Sequence, residues 1–209
     1  VSTVHRTAYL DYVGVKAFDR TGRVIGEHRF LGLWTSTAYH RSPREIPLLR
    51  RKVEQAVAHF GLASHSHDAK AVVNVFETYP RDELFQASVP ELVRIARAVV
   101  NLYERRTVRL LLRDDPFGRF RSCMVYVPRD RYTTEVRRRI EGIVRAACGG
   151  LQLETQVQIS DSRHARLQML MRVEPGAAPA VEIEALEAAI AAATRTWADR
   201  LLEALGQHH

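Results

Sequence analysis

No apolar run in the sequence approaches the roughly 20 residues that a membrane-spanning helix requires, so no membrane partner is expected. The start, VSTVHRTAYL, has neither an apolar signal segment nor an initiator Met, and it reads as the beginning of an excised piece. There are 2 cysteines, Cys123 and Cys148. They lack metal-ligand spacing and are too few for a disulfide framework, which makes a reducing, cytoplasmic setting the expectation. Neither a G-x-G-x-x-G fingerprint nor a P-loop occurs, so no dinucleotide or nucleoside triphosphate site of those types is expected here. G-x-S-x-G is also missing, and no local Ser/His/Asp or Cys/His arrangement stands in for it. The chain therefore carries no recognisable catalytic site, and neither a cofactor nor a metal is assigned to it.

What is present suits a folded protein of one large domain or two small ones. Of the 209 residues, 46% are hydrophobic and 26% charged. A net charge of +7 would allow a polyanion partner. Most arginines, however, are interleaved with Asp and Glu on amphipathic segments, as on a solvated helix face. No nucleic-acid partner is expected from the charge.

The first part, residues 1–105, reads as a strand hairpin followed by helices. DRTG, from Asp19 to Gly22, is a turn between two runs rich in β-branched and aromatic residues. Val24, Gly26, His28, Phe30 and Trp34 share a face of the second run. Ser42 and Glu45 have capping-box spacing, with Pro47 delaying the helix itself. Leu49, Val53, Ala56 and Phe60 then recur at helical spacing, and Gly61 stops the run. Val72, Val75 and Phe76 mark the inner face of a second helix. Ser88 and Glu91 open another, which buries Leu92, Ile95, Val99 and Leu102.

The second part, residues 106–209, reads ββαββα. RTVRLLLRD and FRSCMVYVP are strands joined by DPFG, a turn with Asp115 first, Pro116 second and Gly118 last. A helix from about Thr133 to Cys148 presents Val136, Ile140, Ile143, Val144 and Ala147. In LQLETQVQI, Leu151, Leu153, Thr155, Val157 and Ile159 alternate with polar residues, which predicts a sheet with one buried and one wet face. RLQMLMRV is the next strand. A long helix from Val181 to Leu205 closes the piece. Its stripe of Ile183, Leu186, Ile190 and Trp197 is more apolar than one small sheet needs, so it is a candidate interface. A ferredoxin-like sheet has the order βαββαβ. Here the strand before DPFG fills the slot of the last one. The fold class is thus α+β, with a hairpin and helices before a ferredoxin-like domain.

Candidate chemistry is sparse. SHSHD holds His65, His67 and Asp68, but two such ligands on a loop do not close a tetrahedral site, and Ser66 or Asp68 better serves as a helix cap. Asp82 and Glu83 suit the dipole of a helix start. His28, His59 and His164 read as surface or edge residues. Phe117, Phe120 and Tyr126 only loosely imitate the aromatic pattern of RNA-recognition modules, which share the ferredoxin-like order. A free-standing RNA-binding module is the alternative reading, and a self-contained enzyme the third. The stretch DDPFGRFRSCMVYVPRDRY reads as a hairpin rather than a catalytic loop, and on that reading Asp115→Asn is nearly silent.

The stretches HRTAYLDYVGVKAFDRTGRVIGEHRFLGLWTSTAY, ETYPRDELFQAS and DPFGRFRSCMVYVPRDRYTTEVRRRI together resemble the large bacterial NAD-specific glutamate dehydrogenases. The resemblance implies a place in the long N-terminal segment of that family, which holds ACT-like, PAS-like and helical parts. It implies a parent enzyme that uses NAD to convert glutamate to 2-oxoglutarate and ammonium. The family's catalytic residues match no position here. The resemblance makes the rest of the parent chain and its other subunits the partners, with an amino-acid effector possible at an ACT-like edge. Arg119 and Arg121 are the candidate carboxylate ligands.

Overall fold

The computed structural model describes residues 10–63, 66–103, 105–174, 176 and 179–195. The chain divides into two compact units, Val1–Val93 and Arg94–His209. The division falls within the helix Val89–Leu102.

In the first unit, β1 (Asp11–Phe18) and β2 (Val24–Gly32) form an antiparallel hairpin. Asp19 makes its turn: its carboxylate accepts hydrogen bonds from Thr21 N, Thr21 Oγ1 and Arg23 N at 2.8, 2.6 and 3.0 Å. Gly22, at φ 84°, occupies a left-handed position that L side chains rarely adopt. The helices follow: α1 (Ser36–His40), a 3-10 turn at Pro43–Glu45, α2 (Pro47–Ala58), α3 (His67–Thr78), α4 (Arg81–Gln86) and the start of α5 (Val89–Leu102). Ser42 caps the 3-10 turn, and α2 begins at Pro47, as the proline predicts. Leu49, Val53, Val72, Val75, Phe76 and Leu84 are buried. Two cations tie off helix ends. Lys52 of α2 donates to the carbonyls of Leu84 and Phe85 at the end of α4. Arg81 donates to the carbonyls of Phe76, Glu77 and Tyr79 at the end of α3 and to that of Arg41 after α1. The box of Ser88 and Glu91 opens α5.

In the second unit, β3 (Arg109–Asp114), β4 (Phe120–Pro128), β5 (Gln152–Gln158) and β6 (His164–Arg172) form an antiparallel sheet in the order β3-β4-β6-β5. This is the ferredoxin-like order with the front strand in the vacant edge slot. Between β4 and β5 runs α6 (Thr134–Cys148), which Thr133 caps through Val136 N and Gly149 stops at φ 62°. The last described helix is α7 (Ile183–Ala193). The core lies between the sheet and the helices: Leu110, Cys123, Val125, Val127, Leu167, Met169 and Met171 meet Ile140, Val144, Cys148, Leu186 and Ile190.

Three expectations change. The apolar face of β5 is only partly covered: Leu151 is 72% exposed, Ile159 52% and Val157 36%. An edge strand has a neighbour on one side only, so its ends project past the layer that covers the centre. The opposite face is not uniformly wet either. Phe120, Ser122, Met124 and Tyr126 of β4 are buried there. The guanidiniums of Arg113 and Arg119 lie over the Phe120 ring, 5.9 and 5.7 Å from its centroid. Finally, Leu186 and Ile190 belong to the core of their own unit, so they are not available as an interface. Ile183 is 38% exposed, and Trp197 lies outside the described residues.

Candidate functional site

The turn between β3 and β4 gathers the charged residues singled out in the sequence. Gly118 N donates to Asp115 O at 2.8 Å, and Gly118 has φ 64°. Asp115 does more than start the turn. Its buried carboxylate accepts from Arg119 N, Nε and Nη2 at 3.1, 2.8 and 3.0 Å. Burial alone would push this carboxyl up, but the Arg119 guanidinium and backbone amides hold it below its ordinary value. Asp115→Asn therefore removes a charge from a bidentate pair, and the expected silence of that substitution does not fit this geometry.

Arg119 also lies over the Phe117 ring, 4.9 Å from its centroid. Arg121 is buried, with Nε 2.5 Å from Asp114 Oδ1 and Nη1 3.0 Å from Pro179 O. Burial opposes its charge, and Asp114 more than compensates, so its proton is held more tightly than usual. Both candidate ligands thus have structural partners inside the chain.

Arg121 has a further neighbour that sequence reasoning missed. It shares a strand face with Cys123, and Cys123 and Cys148 lie in the same buried cluster. The only advance signal was the spacing of Arg121 and Cys123, two apart on a predicted strand, which places them on one face.

The remaining candidates resolve more simply. Ser66 caps α3, accepting from Ala69 N at 3.1 Å, and His67 is the first residue of that helix. His65 lies outside the described residues. No group of three or more His, Cys, Asp or Glu that could hold a metal ion occurs among the described residues. Asp82 accepts from Tyr39 Oη at 2.8 Å, in the first turn of α4. His164 is not a surface residue: it is buried, and its Nε2 lies 3.1 Å from Thr107 O. Burial pushes its pKa down, against the pull of Thr107. Of the aromatic trio, Phe117 is 74% exposed, whereas Phe120 and Tyr126 are buried. Burial raises the Tyr126 phenol to about 12. These aromatics do not form an open stacking platform of the kind single-stranded RNA requires.

Exposed apolar side chains are concentrated on the hairpin. Tyr12, Val15, Phe18, Val24, Ile25, Phe30 and Leu31 are all exposed. Among the described residues no helix is long and apolar enough to cross a membrane.

Residues 109–198 match the family model of the glutamate dehydrogenase ACT2 domain, and residues 46–105 match that of glutamate dehydrogenase helical motif 1. The chain is 39% identical over 201 residues to an NAD-specific glutamate dehydrogenase of Halomonas elongata, covering 96% of this chain and 12% of that protein. It is 41% identical over 198 residues to one of Pseudomonas aeruginosa, covering 95% and 12%. It is 39% identical over 195 residues to one of Mycobacterium tuberculosis, covering 88% and 12%. The chain spans about 12% of the length of these relatives.

Proposed function

We propose that this chain, which belongs to the NAD-specific glutamate dehydrogenases as a segment with helical motif 1 and ACT2 domains, is a non-catalytic assembly and regulatory region. The parent enzyme converts glutamate, NAD and water to 2-oxoglutarate, ammonium and NADH in the cytoplasm, and it binds NAD elsewhere in its length. Its other segments and subunits are the partners of this region.

The observation that carries this reading is the β1–β2 ribbon. A two-stranded hairpin is marginal by itself in water, and contiguous exposed apolar surface marks a contact site. Here Ile25 is 66% exposed, Leu31 68% and Phe30 60%. The finer proposal is an amino-acid effector at the β3–β4 turn, whose carboxylate would exchange for Asp115 on Arg119 or for Asp114 on Arg121.

The test is substitution of Ile25 and Leu31 by Ser in the full-length parent. The expected result is loss of assembly, with a fall in glutamate-dependent NADH formation. Unchanged assembly and turnover would overturn the reading. The chain alone, given glutamate and NAD, is expected to form no NADH above a heat-denatured control. Calorimetry of the chain with amino acids at millimolar concentration tests the effector arm, and an absence of heat rejects it.

A further inference from the structure

The β1–β2 ribbon has two unlike faces. In its register Asp11 stands across from Gly32, Val13 from Phe30, Val15 from His28 and Ala17 from Gly26, so these positions share one face. Tyr12, Gly14 and Lys16 share the other with Leu31, Arg29 and Glu27. The middle of this second face is finished by the ribbon itself. Arg29 Nε lies 3.1 Å from Glu27 Oε2. The Glu27 carboxylate reaches across to Gly14, where an added Cβ would collide with it and would lie 3.0 Å from Tyr12 Oη. The ribbon's own side chains thus account for the glycine at position 14, and the pair of charges suits this face to water.

The first face is not finished. No Lys, Arg or Glu stands on it. Its one carboxylate, Asp11, accepts from Trp34 N at 3.1 Å at the base of the ribbon. Phe30 is 60% exposed and Val15 49%. Gly26 and Gly32 lie on either side of Phe30 along β2, and neither has a positive φ. Among the described residues no atom lies within 4 Å of a Cβ built on either glycine. Neither the backbone conformation nor the packing of the described residues calls for glycine at these positions, and glycine weakens a strand interior. What a glycine does offer there is a close approach, because it lacks the side chain that would hold another surface away. The face is also presented in a fixed position. Trp34, just past β2, stacks on Phe85 with ring centroids 4.7 Å apart and planes 9° from parallel.

We infer that the ribbon face carrying Gly26, His28, Phe30 and Gly32 is the seat of a closely packed, apolar protein element from the remainder of the parent enzyme. Phe30 is the anchor, and the two glycines are notches that let the partner's backbone come near. This seat presupposes the assembly role of the ribbon proposed above, and it assigns that role to one face. With no Lys or Arg on it, the face offers nothing to anionic lipid headgroups or to nucleic-acid phosphates. The remainder of the parent is the natural source of the cover. The ribbon lies outside both matched family models, and the chain spans about 12% of its relatives, so most of the enzyme is available to supply it.

Hydroxyl-radical footprinting of the full-length parent, set beside the isolated 209-residue chain, reads the two faces separately. Phe30 reports one face, and Tyr12, 52% exposed, reports the other. The expected result is a several-fold loss of Phe30 oxidation in the parent, with Tyr12 labelled equally in both proteins. Equal labelling of Phe30 in both overturns the proposal. So does equal protection of Phe30 and Tyr12, which places cover on both faces. Protection of Phe30 that appears in the isolated chain as its concentration rises identifies a second copy as the occupant, and it too overturns the proposal.

Gly26→Val and Gly32→Val test the notches. Each should leave the unfolding midpoint of the isolated chain unchanged or raised, because valine suits a strand better than glycine. Each should also reduce the assembled fraction of the full-length parent. A lowered midpoint in the isolated chain would show that the chain itself needs the glycines, and wild-type assembly of both variants would show that no partner comes close. Either result overturns the proposal. If the valine variants are silent while serine at Ile25 and Leu31 breaks assembly, the assembly role stands and this face assignment falls. If both sets are silent, both fall.

Discussion

Strands β2 and β4 each have nine residues and are each rich in apolar side chains, yet every residue of β2 is exposed and every residue of β4 is buried. The difference lies in their neighbours. Among the described residues β2 pairs with β1 and with no other strand. β4 has β3 on one side and β6 on the other, α6 and α7 across one face, and arginine side chains over the other. Apolar content shows that a strand is suited to cover. It does not show that the cover lies in the same piece of chain. For the hairpin, the lack of cover among the described residues is what makes a docking role the best reading. For the sheet, the completed cover makes the second unit a self-supporting core.

The comparison is sharpened most by a large-to-small change in each strand system. Leu167 is fully buried between sheet and helices, so Leu167→Ala should cost about 2–5 kcal/mol in urea unfolding of the chain. Leu31→Ala, on the exposed ribbon, should stay within about 0.5 kcal/mol. Equal costs would show that the ribbon is covered within this chain after all.

The two hairpin turns give the next contrast. Asp115→Asn should lower stability by about 1–3 kcal/mol, because a buried carboxylate on a guanidinium is replaced by a neutral amide. Asp19→Asn, in the fully exposed turn of the ribbon, should have a much smaller effect on the same transition. Gly118→Val forces a β-branched residue to φ 64° and should cost about 1 kcal/mol or more. Gly22→Val imposes similar strain at φ 84°. That strain should appear as faster amide exchange confined to the ribbon.

The smallest expected effect is a pH dependence. The folded pKa of His164 lies below its ordinary 6.5, because burial favours the neutral ring. The unfolded chain then binds the proton more readily, so the His164 contribution is complete above pH 6.5 and is lost as pH falls toward the lower folded value. His164→Gln should flatten the stability profile over that interval. A profile with the same slope in both proteins would reject His164 as its source.

The sequence by itself determined the elements and their order. Capping residues, positive-φ glycines and two- or four-residue periodicities are local, and they act wherever the chain goes. Thus Ser66, Ser88 and Thr133 start helices, Gly61 and Gly149 stop them, and DRTG and DPFG make hairpin turns. Even the sheet order was legible, because one crossover and two tight hairpins leave few ways to pair four strands. Only the tertiary structure decided which apolar faces are covered and which polar groups are engaged. Burial depends on what other elements bring across a face, and hydrogen-bond reach depends on convergence in space. Leu186 and Ile190 had the stripe of an interface helix and became core. His164 had no sequence mark of burial, and its ring reaches Thr107 because β3 and β6 flank β4 and both begin at the end where β4 finishes. Cys123 and Cys148 share one core because a helix of 15 residues packs back on the sheet that holds the strand before it.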